Sequence, residues 1–123
     1  MVPAEVVALR DPVILVVEDE VLIRLSVCDF LRNAGYIVIE AGNAREALAV
    51  LKIRSDIALV VTDLHMAGAM EGVDLIREVR KAYPGIKLIA ASACQNSEPV
   101  EATVTKPYSL DRLLAVVESV LGR

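Results

Sequence analysis

At 123 residues the chain fits one domain, long enough to bury most of its apolar surface without disulfides or a structural metal. Its 55% hydrophobic content is divided into short runs, none near the roughly 20 apolar residues of a membrane helix, so a span is excluded and a soluble chain is expected. A net charge of -4 without a basic stripe excludes direct nucleic-acid binding and points to proteins as partners.

Cys28 and Cys94 lack CxxC or Cys/His ligand spacing, so both are expected as buried or half-buried thiols in a reducing compartment. Met1 to Leu9 lacks the basic start and apolar centre of a signal peptide, which leads to the cytoplasm. Residues 1–12, bracketed by Pro3 and Pro12, read as a flexible N-terminal arm, and residues 13–123 as the domain.

Val13 to Val17 is an unbroken apolar run, as in a strand buried on both faces. After Glu18 and Asp19 a helix is predicted to about Ala34, stopped by Gly35 in a left-handed cap. Ile23, Val27, Phe30, Leu31 and Ala34 fall on its sheet-facing side, and Val21, Leu22, Leu25 and Cys28 form a second apolar set opposite. Tyr36 to Glu40 is a short strand. Asn43 and Glu46 read as N-cap and capping-box acid of a helix with Ala44, Ala47, Leu48 and Leu51 inward, ended by Ser55 and Asp56.

Ile57 to Thr62 is a third strand that runs straight into Asp63. A glycine-containing loop, Ala67 to Gly72, precedes a helix from Val73 to Tyr83 with Leu75, Ile76 and Val79 inward, closed by Pro84 and Gly85. Ile86 to Ala91 is a fourth strand leading into Ser92. Ser109 caps a last helix whose Leu110, Leu113, Leu114, Val117, Val120 and Leu121 make an apolar stripe. This alternation requires right-handed crossovers and gives a doubly wound α/β domain with a five-stranded parallel sheet. Ala93 to Thr103, however, is too short for an average helix of about 11 residues with its two loops, so the fourth helix should be a single turn or absent.

Parallel strands end on one edge, and there the sequence places Glu18 and Asp19, Asp63, Ser92, and Lys106 before Pro107. In that order, from Val13 to Leu121, the chain resembles the receiver domain of two-component response regulators. The resemblance implies a flavodoxin-like strand order of 2-1-3-4-5. It also implies that Asp63 accepts a phosphoryl group from a phosphohistidine of a histidine kinase or phosphotransfer protein. Asp19 would bind Mg²⁺ directly, Glu18 through water, and the backbone carbonyl of His65 would join Asp63 in the metal shell. Lys106 and Ser92 would contact the phosphoryl oxygens. The chemistry is coherent, because three crowded carboxylates repel unless a proton or a divalent cation sits among them, and hard oxygen donors with few protein contacts suit Mg²⁺. The exposed set Val21, Leu22 and Leu25 would dock a histidine-bearing helical bundle, as the first helix does in relatives. Such a chain would be a phosphoprotein in signal transduction rather than an enzyme with its own turnover, and a homodimer is left open.

Singly, each residue has a plainer reading: Asp19 as a helix N-cap, Asp63 as a turn residue, Lys106 as a solvated lysine, Ser92 as the cap of a helical turn, and His65 as a solvent-facing side chain. Two positions depart from the family pattern. Ala67 stands where proline is usual, and Thr103 occupies the switch position where many relatives carry an aromatic. Two other functions therefore stay on the table. One is a pseudo-receiver that binds partners without phosphorylation. The other is an aspartate-nucleophile phosphatase, although that class expects its Asp-x-Asp after the first strand and His65 replaces the second acid here.

Overall fold

The computed structural model describes residues 12–66, 71–93 and 98–123. Five strands, β1 (Val13–Val17), β2 (Ile37–Ala41), β3 (Ile57–Asp63), β4 (Lys87–Ser92) and β5 (Ala102–Thr105), form one parallel sheet in the order β2-β1-β3-β4-β5. Four helices are described among these residues: α1 (Val21–Asn33), α2 (Ala44–Ile53), α3 (Gly72–Ala82) and α4 (Leu110–Leu121). The expected fold class and strand order are those observed.

Alternation along the strands builds two cores. Val13, Leu15 and Val17 face α2 and α3 with Leu51, Leu75, Ile76 and Val79, while Ile14 and Val16 face α1 and α4 with Leu31, Leu113 and Val117. The β1–β3 register slips between Val13 and Ile14, which pair with Ile57 and Leu59. The slip sends Ile57 and Leu59 to opposite cores although they lie two residues apart.

Local signals account for the helix ends. Gly35 takes φ 104° just beyond α1, where the left-handed region favours glycine. Asn43 caps α2 by accepting from the Glu46 N–H at 2.9 Å, while the Glu46 carboxylate reaches back to the Gly42 N–H at 3.1 Å, one residue beyond a standard capping box. Ser109 caps α4 by accepting from the Arg112 N–H at 3.0 Å.

The sheet-facing side of α1 differs from the expectation. Val27, Cys28 and Leu31 are buried, whereas Ile23 and Ala34 are exposed. Cys28 therefore leaves the apolar surface set and joins the core, where burial pushes its thiol up to about 12. The position one turn before Val27 and Cys28 is taken by Arg24. Residues 1–11, which hold most of the expected arm, lie outside the described residues, as do Cys94 and Ala67. The Pro12 carbonyl accepts the Ile37 N–H at 3.3 Å.

Between β4 and β5 no helix is present among the described residues, and 94–97 lie outside them. The segment 98–101 is tied to α3 instead. Arg77 pairs with Glu98 at 2.8 Å, and Arg80 donates to both Glu101 oxygens at 2.7 Å and to the Pro99 carbonyl at 2.6 Å. Glu101 also accepts the Leu88 N–H at 2.6 Å, completing the start of β4. Burial would raise the Glu101 carboxyl, but Arg80 and the Leu88 N–H outweigh it and hold the group below its ordinary value. A carboxyl lowered by folding stabilises fully above its unfolded value and loses that effect as pH falls through its folded one. Glu101→Ala is therefore expected to cost about 1 kcal/mol at neutral pH, after discounting for solvent screening, with the difference from the parent chain shrinking below pH 4.5. Urea unfolding of both chains across that pH range checks it.

Candidate functional site

The parallel sheet delivers its chemistry to the edge where β1, β3, β4 and β5 end. Glu18 and Asp19 follow β1, Asp63 closes β3, Ser92 closes β4, and Lys106 follows β5. Carboxylate oxygens of Glu18, Asp19 and Asp63 all lie within 4.8 Å of one another. The Lys106 ammonium donates to Asp63 Oδ2 at 2.5 Å and stands 3.9 Å from Glu18 Oε2. An open cleft of about 460 Å³ over this edge is lined by Asp19, Asp63, His65, Met66, Ser92 and Lys106.

Each group is set by its backbone. Asp63 pairs with Ala91 in the β3–β4 ladder, the next residue's N–H donates to the Ala91 carbonyl at 3.1 Å, and Thr62 Oγ1 donates to the Asp63 carbonyl at 2.9 Å. The Glu18 N–H donates to the Ala41 carbonyl at 3.1 Å, and its side chain accepts from the Glu20 N–H at 3.1 Å. Glu20, not Asp19, is the N-cap residue of α1, which removes the plainer reading of Asp19. The Lys106 N–H donates to the Ser92 carbonyl at 2.8 Å, joining the last two strand ends. The Lys106–Pro107 peptide is cis.

Burial dominates the electrostatics of Glu18. It raises the carboxyl above its ordinary value, aided by Asp63 and Asp19, although the Glu20 N–H and Lys106 act in the opposite sense. Burial also disfavours the charged form of Lys106, but its bond to Asp63 and the nearby Glu18 charge prevail and raise it. Three carboxylates thus share one ammonium, with negative charge left over. Among the described residues this acidic triad is the group that could hold a metal ion, and its all-oxygen donor set fits a hard divalent cation.

The remaining predicted residues fall as follows. The His65 side chain is exposed, with Nδ1 3.4 Å from Glu71 Oε2, in agreement with its solvent-facing reading. Thr103 lies on β5 opposite Ala90, half-buried over a groove shared with α4 and away from the carboxylates. Val21, Leu22 and Leu25 are 55%, 79% and 42% exposed. Leu22 lines an apolar groove of about 550 Å³ that runs from α1 across Ala93 and Lys106 to Tyr108 and Leu110.

Three contributors were not legible in advance. Tyr108 packs beneath the edge with Val16, Glu18 and Asp63, and burial raises its hydroxyl. Its only sequence signal was its place two residues after Lys106. Arg24 donates to the Glu18 carbonyl at 2.7 Å. Gly72 opens α3 directly against Asp63, and a Cβ there would lie 1.7 Å from the Asp63 carbonyl oxygen and 2.8 Å from its carbon.

Residues 14–118 match the model of the response regulator receiver domain, and the chain belongs to that family, the receiver domains of two-component systems. It is 35% identical over 119 residues to the sensor kinase CckA of Brucella abortus, a match covering 89% of this chain and 12% of that protein. It is 33% identical over 117 residues to the chemotaxis protein CheY of Thermotoga maritima, covering 87% of this chain and 95% of that one. The chain thus spans a small part of the first relative and nearly all of the second. The solved response regulator protein TrrA of Thermotoga maritima, in complex with Mg²⁺–BeF, is similar with a TM-score of 0.80 and 30% identity, covering 89% of this chain and 98% of that one. Among the described residues no helix is long and apolar enough to cross a membrane.

Gly72 gives a direct test of how the site is built. Alanine favours a helix over glycine by about 1 kcal/mol, but here its methyl meets a backbone carbonyl that cannot rotate away, and such overpacking costs about 1–3 kcal/mol or more. Gly72→Ala is expected to lower the melting temperature by several degrees and to shift the amide resonances of Asp63 and Leu64. An alanine variant at least as stable as the parent chain contradicts this packing.

Proposed function

We propose that this chain is a phosphoacceptor: Asp63 takes a phosphoryl group from the phosphohistidine of a histidine kinase or phosphotransfer protein in a Mg²⁺-dependent reaction. The observation that carries the reading is the convergence of Glu18, Asp19, Asp63 and Lys106 from three separate strand ends at one edge of the sheet. Membership of the receiver family supports it, as does the Mg²⁺–BeF complex of a relative.

In this reading a carboxylate oxygen of Asp63 forms a bond to phosphorus as the P–N bond to the donor imidazole breaks. The bonding pair stays on that nitrogen, which takes a proton from solvent. The strand end and the Thr62 and Leu64 hydrogen bonds hold Asp63 rigidly, so little orientation remains to be gained on encounter. Lys106 exchanges part of its bond with Asp63 for one with a phosphoryl oxygen, and the Ser92 hydroxyl donates to another. Glu18, Asp19, Asp63 and the His65 carbonyl would hold the cation, which when bound supplies positive charge against the carboxylate and phosphoryl oxygens. The chain takes up the group stoichiometrically and turns over no separate substrate.

The protein donor docks on the exposed first turns of α1. Val21, Leu22 and Leu25 are exposed there, and the apolar groove that Leu22 lines continues to Lys106, which lines the cleft with Asp63, so a helix laid along the groove would bring its histidine toward Asp63. The intact acidic cleft favours this reading over a pseudo-receiver.

Incubation with a small-molecule phosphodonor and Mg²⁺ is expected to add one phosphoryl group by intact mass spectrometry. Chelation by EDTA or Asp63→Asn abolishes the addition, and full labelling of Asp63→Asn rejects the assignment. Leu22→Glu is expected to slow transfer from a cognate kinase by roughly tenfold, as loss of a buried anchor does, while leaving the rate from the small donor unchanged. Equal slowing with both donors would place Leu22 in the site rather than in docking.

A further inference from the structure

We propose that Arg24 is a positioning residue for the acidic pair, holding the Glu18–Asp19 peptide so that both carboxylates face Asp63. The inference rests on the reading of this edge as a divalent-cation site and deepens it.

Arg24 occupies the place in α1 that the apolar stripe of Val27, Cys28 and Leu31 would extend to, one turn nearer the helix start. A charged side chain there is only 18% exposed and needs its donors satisfied. Its Nη1 donates to the Glu18 carbonyl at 2.7 Å, and its Nε to Glu40 Oε1 at 3.3 Å. The Glu18 carbonyl belongs to the peptide that links Glu18 to Asp19. The preceding peptide is already fixed, since the Glu18 N–H donates to the Ala41 carbonyl at 3.1 Å. Arg24 therefore fixes the second of the two peptide planes around Glu18, and with them the direction in which the Glu18 side chain leaves the backbone; the Asp19–Glu20 peptide is held in turn, its N–H donating to Glu18 Oε1 at 3.1 Å.

The surroundings are built for that contact. Glu40 sits on β2 beside Val16 and receives Arg32 as well as Arg24, so the anchor for the guanidinium is itself held. Gly42 leaves room for it: a Cβ at that position would lie 3.3 Å from Arg24 Nη1, a tight contact. A planar fork reaches a carbonyl and a carboxylate together, which a lysine ammonium cannot do with the same geometry.

Groups that orient metal ligands from behind typically change metal affinity by about 10–100-fold when removed. Arg24→Met, which keeps the stem and removes the donors, is expected to weaken Mg²⁺ binding by about tenfold in isothermal titration calorimetry. Arg24→Lys is expected to weaken it by about threefold, and Glu40→Gln, which leaves the Glu18 contact in place, by less than twofold. Melting temperatures in EDTA separate the alternative: a merely structural tie lowers them while the folded chains bind Mg²⁺ as tightly as the parent. A folded Arg24→Met with parental affinity overturns the proposal. Should Arg24→Met not fold, parental affinity in Arg24→Lys does so instead. A parent chain that binds no Mg²⁺ overturns the cation-site reading and this inference together, an outcome distinct from binding that is indifferent to Arg24.

Discussion

Everything at the functional edge depends on one ion pair reaching across a strand. Lys106 follows β5 and Asp63 closes β3, and β4 lies between them in the sheet. The ammonium meets Asp63 at 2.5 Å only because it can cross the end of β4 unobstructed. The residues that line the cleft there are Ser92 and Ala93, and neither is large enough to block the passage. The Ser92 carbonyl, accepting the Lys106 N–H, sets the starting point of the crossing. Small residues at the end of β4 are therefore a condition of the site, alongside whatever the Ser92 hydroxyl contributes.

That ion pair does not balance the charge it serves. Burial raises the Glu18 carboxyl even with Lys106 close by, so the folded chain holds that proton more tightly than the unfolded chain does. Ionising Glu18 at neutral pH works against folding, and the same holds for enclosing Arg24 on the sheet side of α1. Local rules are broken in this way mainly where function requires it. The hydrogen bonds from the Glu20 N–H to Glu18 and from Arg24 to the Glu18 carbonyl are what make the arrangement tolerable.

β1, β3 and β4 were legible because each carries an apolar run that stops at a polar residue, and the position of those stops gave the edge of the site; β2, with Glu40 inside it, and β5, with Thr103 and Thr105, carry no such run. Legibility failed where a residue answers to a tertiary neighbour. The face of α1 was rotated by about one residue: Ile23 and Val27 are correctly spaced for a stripe, yet the buried residues are Val27, Cys28 and Leu31. Val21, Leu22, Ile23 and Leu25 in the first turns of α1 stay exposed, so apolarity alone does not bury a side chain. Gly72 read as punctuation before a helix, and nothing local announces that its hydrogen faces the Asp63 carbonyl. Arg24 carried no signal, because its acceptor is a backbone oxygen, which has no letter in the sequence.

The same distinction between local and tertiary causes bears on the short connection between β4 and β5. A covering helix would stabilise that end of the sheet by burying apolar area; the described residues of the connection use charged hydrogen bonds to α3 instead. The two ties are not equal. Arg77 is 65% exposed, and a pair so open to solvent contributes little once side-chain ordering and salt screening are counted. Arg80 and Glu101 are 26% and 30% exposed, and Arg80 also reaches the Pro99 carbonyl while Glu101 accepts the Leu88 N–H, so this tie fixes backbone on both sides. It therefore does most to hold residues 98–101 in register for β5. Because α3 begins at Gly72 against Asp63 and carries Arg80 in its last turn, one helix packs on the acidic edge at its start and on the shortened connection at its end.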